Sequence, residues 1–120
     1  MKILLVDDEQ EFTGALAERL ELRGHAVQTV DNGEDGIQAV DNDPPQVVVL
    51  DLKMPGLNGI EVLKRIKSQY PHMPILLLTG YGSTEEGIKG MQLGAYDYML
   101  KPLSIDELIT KLHEAVGENA

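Results

Sequence analysis

Four groups of polar residues break an otherwise apolar pattern, and each is of a type that can do chemistry: Asp7-Asp8, Asp51, Thr79 and Lys101. The first three follow short apolar stretches, Ile3-Leu4-Leu5-Val6, Val47 to Leu50 and Ile75-Leu76-Leu77-Leu78, and Lys101 follows a fifth strand, Tyr96 to Leu100. Short apolar runs of this kind suit strands buried on both faces of a parallel sheet. A carboxylate cannot stay inside such a strand, so Asp51 is expected at its carboxyl end, the edge at which open α/β sheets bind ligands. In a parallel sheet the four strand ends share that edge, so the four groups can converge on one crevice.

Each group alone has a plainer reading. Asp51 could be a loop or capping carboxylate, and Asp7-Asp8 could merely favour the positive N-terminus of a first helix. Lys101 could be a solvated loop lysine, and Thr79 an ordinary strand residue. Together they suggest more. Three carboxylates at close range cannot all stay ionised without compensation. Mg²⁺ supplies it, because it prefers carboxylates, waters and phosphate oxygens. Lys101 adds a mobile point charge suited to phosphate, and Thr79 a hydroxyl donor. A carboxylate facing a cation, a hydroxyl and an ammonium group can act as the nucleophile that forms an aspartyl phosphate.

The elements that must position these groups alternate regularly. After the first strand, Phe12, Leu16 and Leu20 mark one stripe of a helix stopped by Gly24. Ala26 to Val30 is a weaker strand, and Asn32-Gly33 opens a helix carrying Ile37 and Val40 and closed by Pro44-Pro45. Pro55-Gly56 and Asn58-Gly59 force turns after Asp51. Asn58 with Glu61 caps a third helix whose Ile60, Leu63 and Ile66 face inward. Ser83 with Glu86 offers a capping box for a fourth helix, which Gly87, Gly90 and Gly94 should make the softest. Ser104 with Glu107 caps a last helix carrying Ile105, Leu108, Ile109, Leu112 and Val116 at helical spacing. Five βα units imply an α/β fold with helices on both faces of a parallel sheet.

Composition narrows the function classes. The 120 residues suffice for one core, and 42% apolar with 25% charged residues is ordinary for a globular domain. There is no cysteine, so disulfides and thiolate metal sites are excluded. No run approaches a membrane span and Met1-Lys2-Ile3 lacks a signal-peptide layout, so a cytoplasmic location is expected. A formal charge of −10 opposes direct binding to nucleic acid or anionic membranes. His25, His72 and His113 lack metal-ligand spacing, and no phosphate-binding glycine loop is present.

Asp7-Asp8-Glu9, Asp51-Leu-Lys-Met-Pro-Gly56, Thr79-Gly80 and Lys101-Pro102 together resemble the receiver domain of two-component response regulators, over nearly the whole chain. The resemblance implies a (βα)5 flavodoxin-like three-layer sandwich with sheet order 2-1-3-4-5, forming one receiver domain over residues 1–120. It implies that Asp51 accepts a phosphoryl group from a phosphohistidine on a sensor histidine kinase. Asp8, Asp51 and the backbone carbonyl of Lys53 are then direct Mg²⁺ ligands, and Asp7 acts through a water. Lys101 pairs with the phosphoryl oxygens, with a cis peptide before Pro102. Thr79 moves towards the phosphate, and Tyr98 turns inward behind it. The face of the fourth helix, fifth strand and fifth helix becomes the output surface, addressing an attached output domain, a downstream protein or a second copy.

Lys53 and Tyr81 flank the phosphoryl group in such domains, and bulky Tyr81 is expected to hinder the attacking water. Thr79-Gly-Tyr-Gly-Ser83 is similar to receivers of the nitrogen-regulation class, whereas Leu103 stands where an aromatic is common. On this reading the chain is a signalling domain rather than an enzyme, beyond catalysing its own phosphotransfer and dephosphorylation. A haloacid-dehalogenase-like phosphatase also uses an Asp nucleophile with Mg²⁺, but it wants a second Asp where Lys53 stands. A flavodoxin-like carrier needs a phosphate loop where Asp7-Asp8-Glu9 would repel phosphate. A receiver-like scaffold that binds partners without phosphorylation has no need of the acceptor-site residues, all of which are present, and only chemistry separates the two.

Overall fold

In the computed structural model, residues 1–80, 84–101 and 104–117 are described. The expectations for Tyr81, Ser83, the peptide before Pro102, Leu103 and the last three residues lie outside them. The elements run β1 (Lys2–Val6), α1 (Gln10–Leu22), β2 (Ala26–Val30), α2 (Gly33–Asn42), β3 (Val47–Asp51), α3 (Gly59–Gln69), β4 (Ile75–Thr79), α4 (Thr84–Gln92), β5 (Asp97–Leu100) and α5 (Ile105–Ala115). All strand pairs are parallel, in the order β2-β1-β3-β4-β5. That is the order the family resemblance implied.

Alternation along the strands assigns the layers. Leu4, Val6, Val48, Leu50, Ile75 and Leu77 point to one face and pack with Val40, Val62, Leu63 and Ile66 of α2 and α3. Ile3, Leu5, Val47, Val49, Leu76 and Leu78 point to the other, against Leu16 and Leu20 of α1 and Leu108 and Leu112 of α5. Right-handed crossovers produce this division: the chain steps one way to β2 and then reverses past β1, so α2 to α4 cover the face opposite α1. β3 and β4 are buried along their whole length, as their unbroken apolar runs required. β2 lies at the sheet edge and is half-exposed, which accounts for its weaker sequence pattern.

Local capping follows the sequence. Asn32 and Asn58 accept hydrogen bonds from the Asp35 and Glu61 amides at 2.8 and 3.1 Å, and Ser104 makes a longer contact of 3.4 Å with the Glu107 amide. β5 is shorter than expected, beginning at Asp97, whose carboxylate pairs with Lys111 of α5 at 2.7 Å. The glycines of α4 turn out to be packing residues. A Cβ on Gly87 would lie 2.8 Å from the Tyr98 ring, and one on Gly90 would overlap Leu77 Cδ1. They cost helix propensity and let α4 lie close on the sheet. No described helix is long and apolar enough to cross a membrane.

Candidate functional site

The sheet register brings the polar strand ends together. Val6 pairs with Leu50, so Asp7 and Asp51 stand side by side where β1 and β3 leave the sheet. Asp51 pairs with Leu78 and Thr79 with Leu100, which brings Thr79 and Lys101 to the same edge. The sheet order reverses between β1 and β3, and that switch point is where such sheets bind ligands.

The chain must leave β3 sharply to keep Asp51 at the mouth of the crevice. Gly56 takes a positive φ of 75° in the following loop, a conformation that favours glycine. Gly59 opens α3 so close to the strand end that a Cβ there would lie 2.5 Å from the Asp51 carbonyl oxygen. The loop is therefore pinned directly behind the acidic group.

One carboxylate oxygen from each of Asp7, Asp8 and Asp51 lies within 4.8 Å of the others. Asp7 and Asp51 are buried, at 2% and 3% exposure, whereas Asp8 faces solvent. Asp7 Oδ1 accepts the Glu9 amide at 2.9 Å, and Asp51 Oδ1 accepts the Lys53 amide at 3.2 Å. Lys101 Nζ is the counter-charge, 2.7 Å from Asp7 Oδ2, 2.8 Å from Glu9 Oε1 and 3.6 Å from Asp51 Oδ2. It also stands 4.6 Å from the centroid of the Phe12 ring.

Three carboxylates thus meet one ammonium group with the Asp8 carboxylate beside them, and the imbalance falls on Asp51. Burial, reinforced by the Asp7 charge, pushes its carboxyl up to about 7 against the opposing pull of the Lys53 amide and Lys101. Burial by itself would lower Lys101, but its contacts with Asp7 and Glu9 outweigh that and hold it above its ordinary value. A site of oxygen donors with surplus negative charge fits a hard divalent cation such as Mg²⁺. Thr79 is fully buried, and its Oγ1 has no hydrogen-bond partner among the described residues. A buried hydroxyl left unpaired costs about 1–3 kcal/mol, which an incoming oxygen acceptor can relieve.

The predicted residues Asp7, Asp8, Asp51, Thr79, Lys101 and the Lys53 backbone therefore collect at one edge. Tyr98 is half-buried against the α2–α4 core, its ring beside Gly87, so it packs inward in this structure. Sequence reading gave Glu9 no individual role at the site and took Phe12 only as part of the apolar stripe of α1. Their spacing of three residues at the start of α1 was the available sign, since such residues share a helix face.

Comparisons with known proteins agree with this geometry. The family model for the response regulator receiver domain matches residues 3–113. The transcriptional regulatory protein TcrA of Mycobacterium tuberculosis is 41% identical over 112 residues, covering 93% of this chain and 44% of TcrA. FleR, a response regulator protein of Pseudomonas aeruginosa, is 36% identical over 90% of this chain and 23% of its own length. The chain thus spans less than half the length of these two relatives. The solved receiver domain of NtrX from Brucella abortus superposes with a TM-score of 0.92 at 32% identity, covering 98% of this chain and 99% of that one. By family model and by relatives that match it nearly end to end, the chain belongs to the receiver domains of two-component response regulators.

Proposed function

We propose that residues 1–120 form one receiver unit whose phosphoacceptor is Asp51. Its carboxylate attacks the phosphorus of a phosphohistidine on a sensor histidine kinase; the P–N bond breaks, and the departing imidazole keeps the electron pair and takes up a proton. The observation that carries this reading is the position of the Asp51 carboxyl, set among the Asp7 and Asp8 carboxyls with the Lys101 ammonium 3.6 Å away. Asp8, Asp51 and the Lys53 carbonyl would hold Mg²⁺, which when bound offsets the charge of the arriving phosphoryl group. Asp7 would reach it through a water, in keeping with oxygens already committed to the Glu9 amide and Lys101. Lys101 and the Thr79 hydroxyl donate to the phosphoryl oxygens. Lys53 and Tyr81 tune the phosphorylated lifetime, with bulky Tyr81 expected to slow hydrolysis.

The new charge and its contacts favour one of two arrangements of α4 and its neighbours. Thr79 moves towards the phosphoryl group, and Tyr98, already half-buried here, is held inward behind it. The readout surface is the face of α4, β5 and α5, where Ile88, Met91 and Leu100 leave large apolar side chains exposed. An attached output domain, a downstream protein or a second copy would dock there. With a charge of −10, this segment leaves any DNA contact to whatever is attached to it. Its self-catalysed phosphotransfer and dephosphorylation are the chemistry of a switch. The resemblance of Thr79-Gly-Tyr-Gly-Ser83 to nitrogen-regulation receivers stands beside an overall likeness to both NtrX and TcrA.

The test is intact-protein mass after incubation with acetyl phosphate, with and without Mg²⁺, beside Asp51→Asn. A Mg²⁺-dependent gain of one phosphoryl mass that the variant loses is expected. No gain from acetyl phosphate or from a panel of phosphorylated kinases refutes the switch and favours the phosphorylation-independent scaffold.

A further inference from the structure

Lys101 has three ammonium protons and three carboxylate neighbours, on Asp7, Glu9 and Asp51. Asp7 and Glu9 hold two of those protons at hydrogen-bond distance and the third faces Asp51 at 3.6 Å, so the phosphoryl oxygens gain more than one proton only if a carboxylate yields it. Asp7 is a poor candidate, because its Oδ2 is buried and Lys101 is its only charge partner among the described residues. Asp51 is the residue that carries the incoming group. Glu9 is different, since its side chain is 61% exposed and water can replace the ammonium at little cost.

A second observation concerns what Glu9 leaves undone. It occupies the N-cap of α1 yet makes no side-chain capping bond; its backbone oxygen accepts the Thr13 amide instead. The carboxylate reaches across to Lys101, 92 positions away in sequence. Phe12, one turn on in α1, places its ring 4.6 Å from the same ammonium and retains it when the carboxylate lets go.

We infer that Glu9 is a resident stand-in for the phosphoryl group: it holds Lys101 poised in the empty crevice and hands it over when the phosphoryl oxygens arrive. This makes Glu9 a positioning residue and rests on Asp51 as the acceptor. Competition between Glu9 and the phosphoryl group for one ammonium slows phosphorylation, so removing it speeds the reaction. An exposed ion pair sets the scale at roughly two- to five-fold.

The experiment compares Glu9→Gln, Glu9→Asp and Glu11→Gln in the full chain. Glu9→Asp keeps the net charge but falls short of Lys101. Glu11→Gln removes the same charge from an exposed residue for which the described structure records no contact with Lys101. The first readout is taken without Mg²⁺, from the NMR signals of the Lys101 ammonium and the Phe12 ring. Both Glu9 variants should shift them, and Glu11→Gln should not. The second is the rate of mass gain from acetyl phosphate at saturating Mg²⁺, expected to rise about two- to five-fold for the Glu9 variants only. Equal acceleration by Glu9→Gln and Glu11→Gln, or slowing by Glu9→Gln, overturns the inference while leaving Asp51 as acceptor. A wild-type chain that gains no phosphoryl group from acetyl phosphate or phosphorylated kinases overturns both.

Discussion

Replacing Asp51 with Asn should stabilise the metal-free domain at neutral pH and leave it unchanged in acid. The folded carboxyl titrates at about 7, against 3.8 for the free group. Below pH 3.8 both states are protonated there, and Asp51 costs nothing. As pH rises from 3.8 to about 7, the unfolded chain releases the proton and the folded chain keeps it, so stability falls. Above about 7 the loss is constant. A gap of roughly three pH units corresponds to about 4 kcal/mol at most. Water at the crevice mouth, where Asp8 is exposed, screens the charge and brings the expected value to about 2 kcal/mol. Urea denaturation of wild type and variant in EDTA, from about pH 4 to pH 8, isolates the residue, because other titrations cancel in the difference. The variant's advantage should grow from near zero to about 2 kcal/mol, a rise in Tm of about 8 °C at neutral pH. Millimolar Mg²⁺ should shrink it by stabilising only the wild type. A pH-independent difference, or a wild type more stable than the variant at neutral pH, would refute the electrostatic account of the crevice.

Two further outcomes test the packing around the site. Gly87→Ala gains about 1 kcal/mol of helix propensity but sets a methyl 2.8 Å from the Tyr98 ring, so overpacking should leave a net loss of about 1 kcal/mol. In a Tyr98→Ala background the same change should become stabilising, and a double-mutant cycle by thermal denaturation checks the reversal of sign. Asn32→Ala removes the cap on the Asp35 amide and should cost about 1 kcal/mol, read as a Tm lower by about 4 °C.

Much of the crevice was legible because its residues stand where apolar runs stop. A strand buried on both faces rejects charge, so Asp7 and Asp51 could only lie at strand ends, and parallel strands place those ends on one edge. β3 and β4 were readable for the same reason, and the caps at Asn32 and Asn58 because a cap is a contact between residues three apart. Such features depend on near neighbours in sequence, and near neighbours are what a sequence displays.

The tertiary structure decided what depends on distant residues. Hydrophobic periodicity does not specify sheet order; the family resemblance supplied it and the strand pairing bears it out. Glycines in α4 looked like weaknesses until Tyr98 and Leu77, from other strands, were found against them. Asp97 begins a strand because Lys111 on a later helix meets its charge. Above all, the sequence announced a lysine near three aspartates, while the fold added Glu9 to its partners from 92 positions away. Residue types set which charges the chain carries, but Coulomb energy depends on distance and burial, and only folding fixes those.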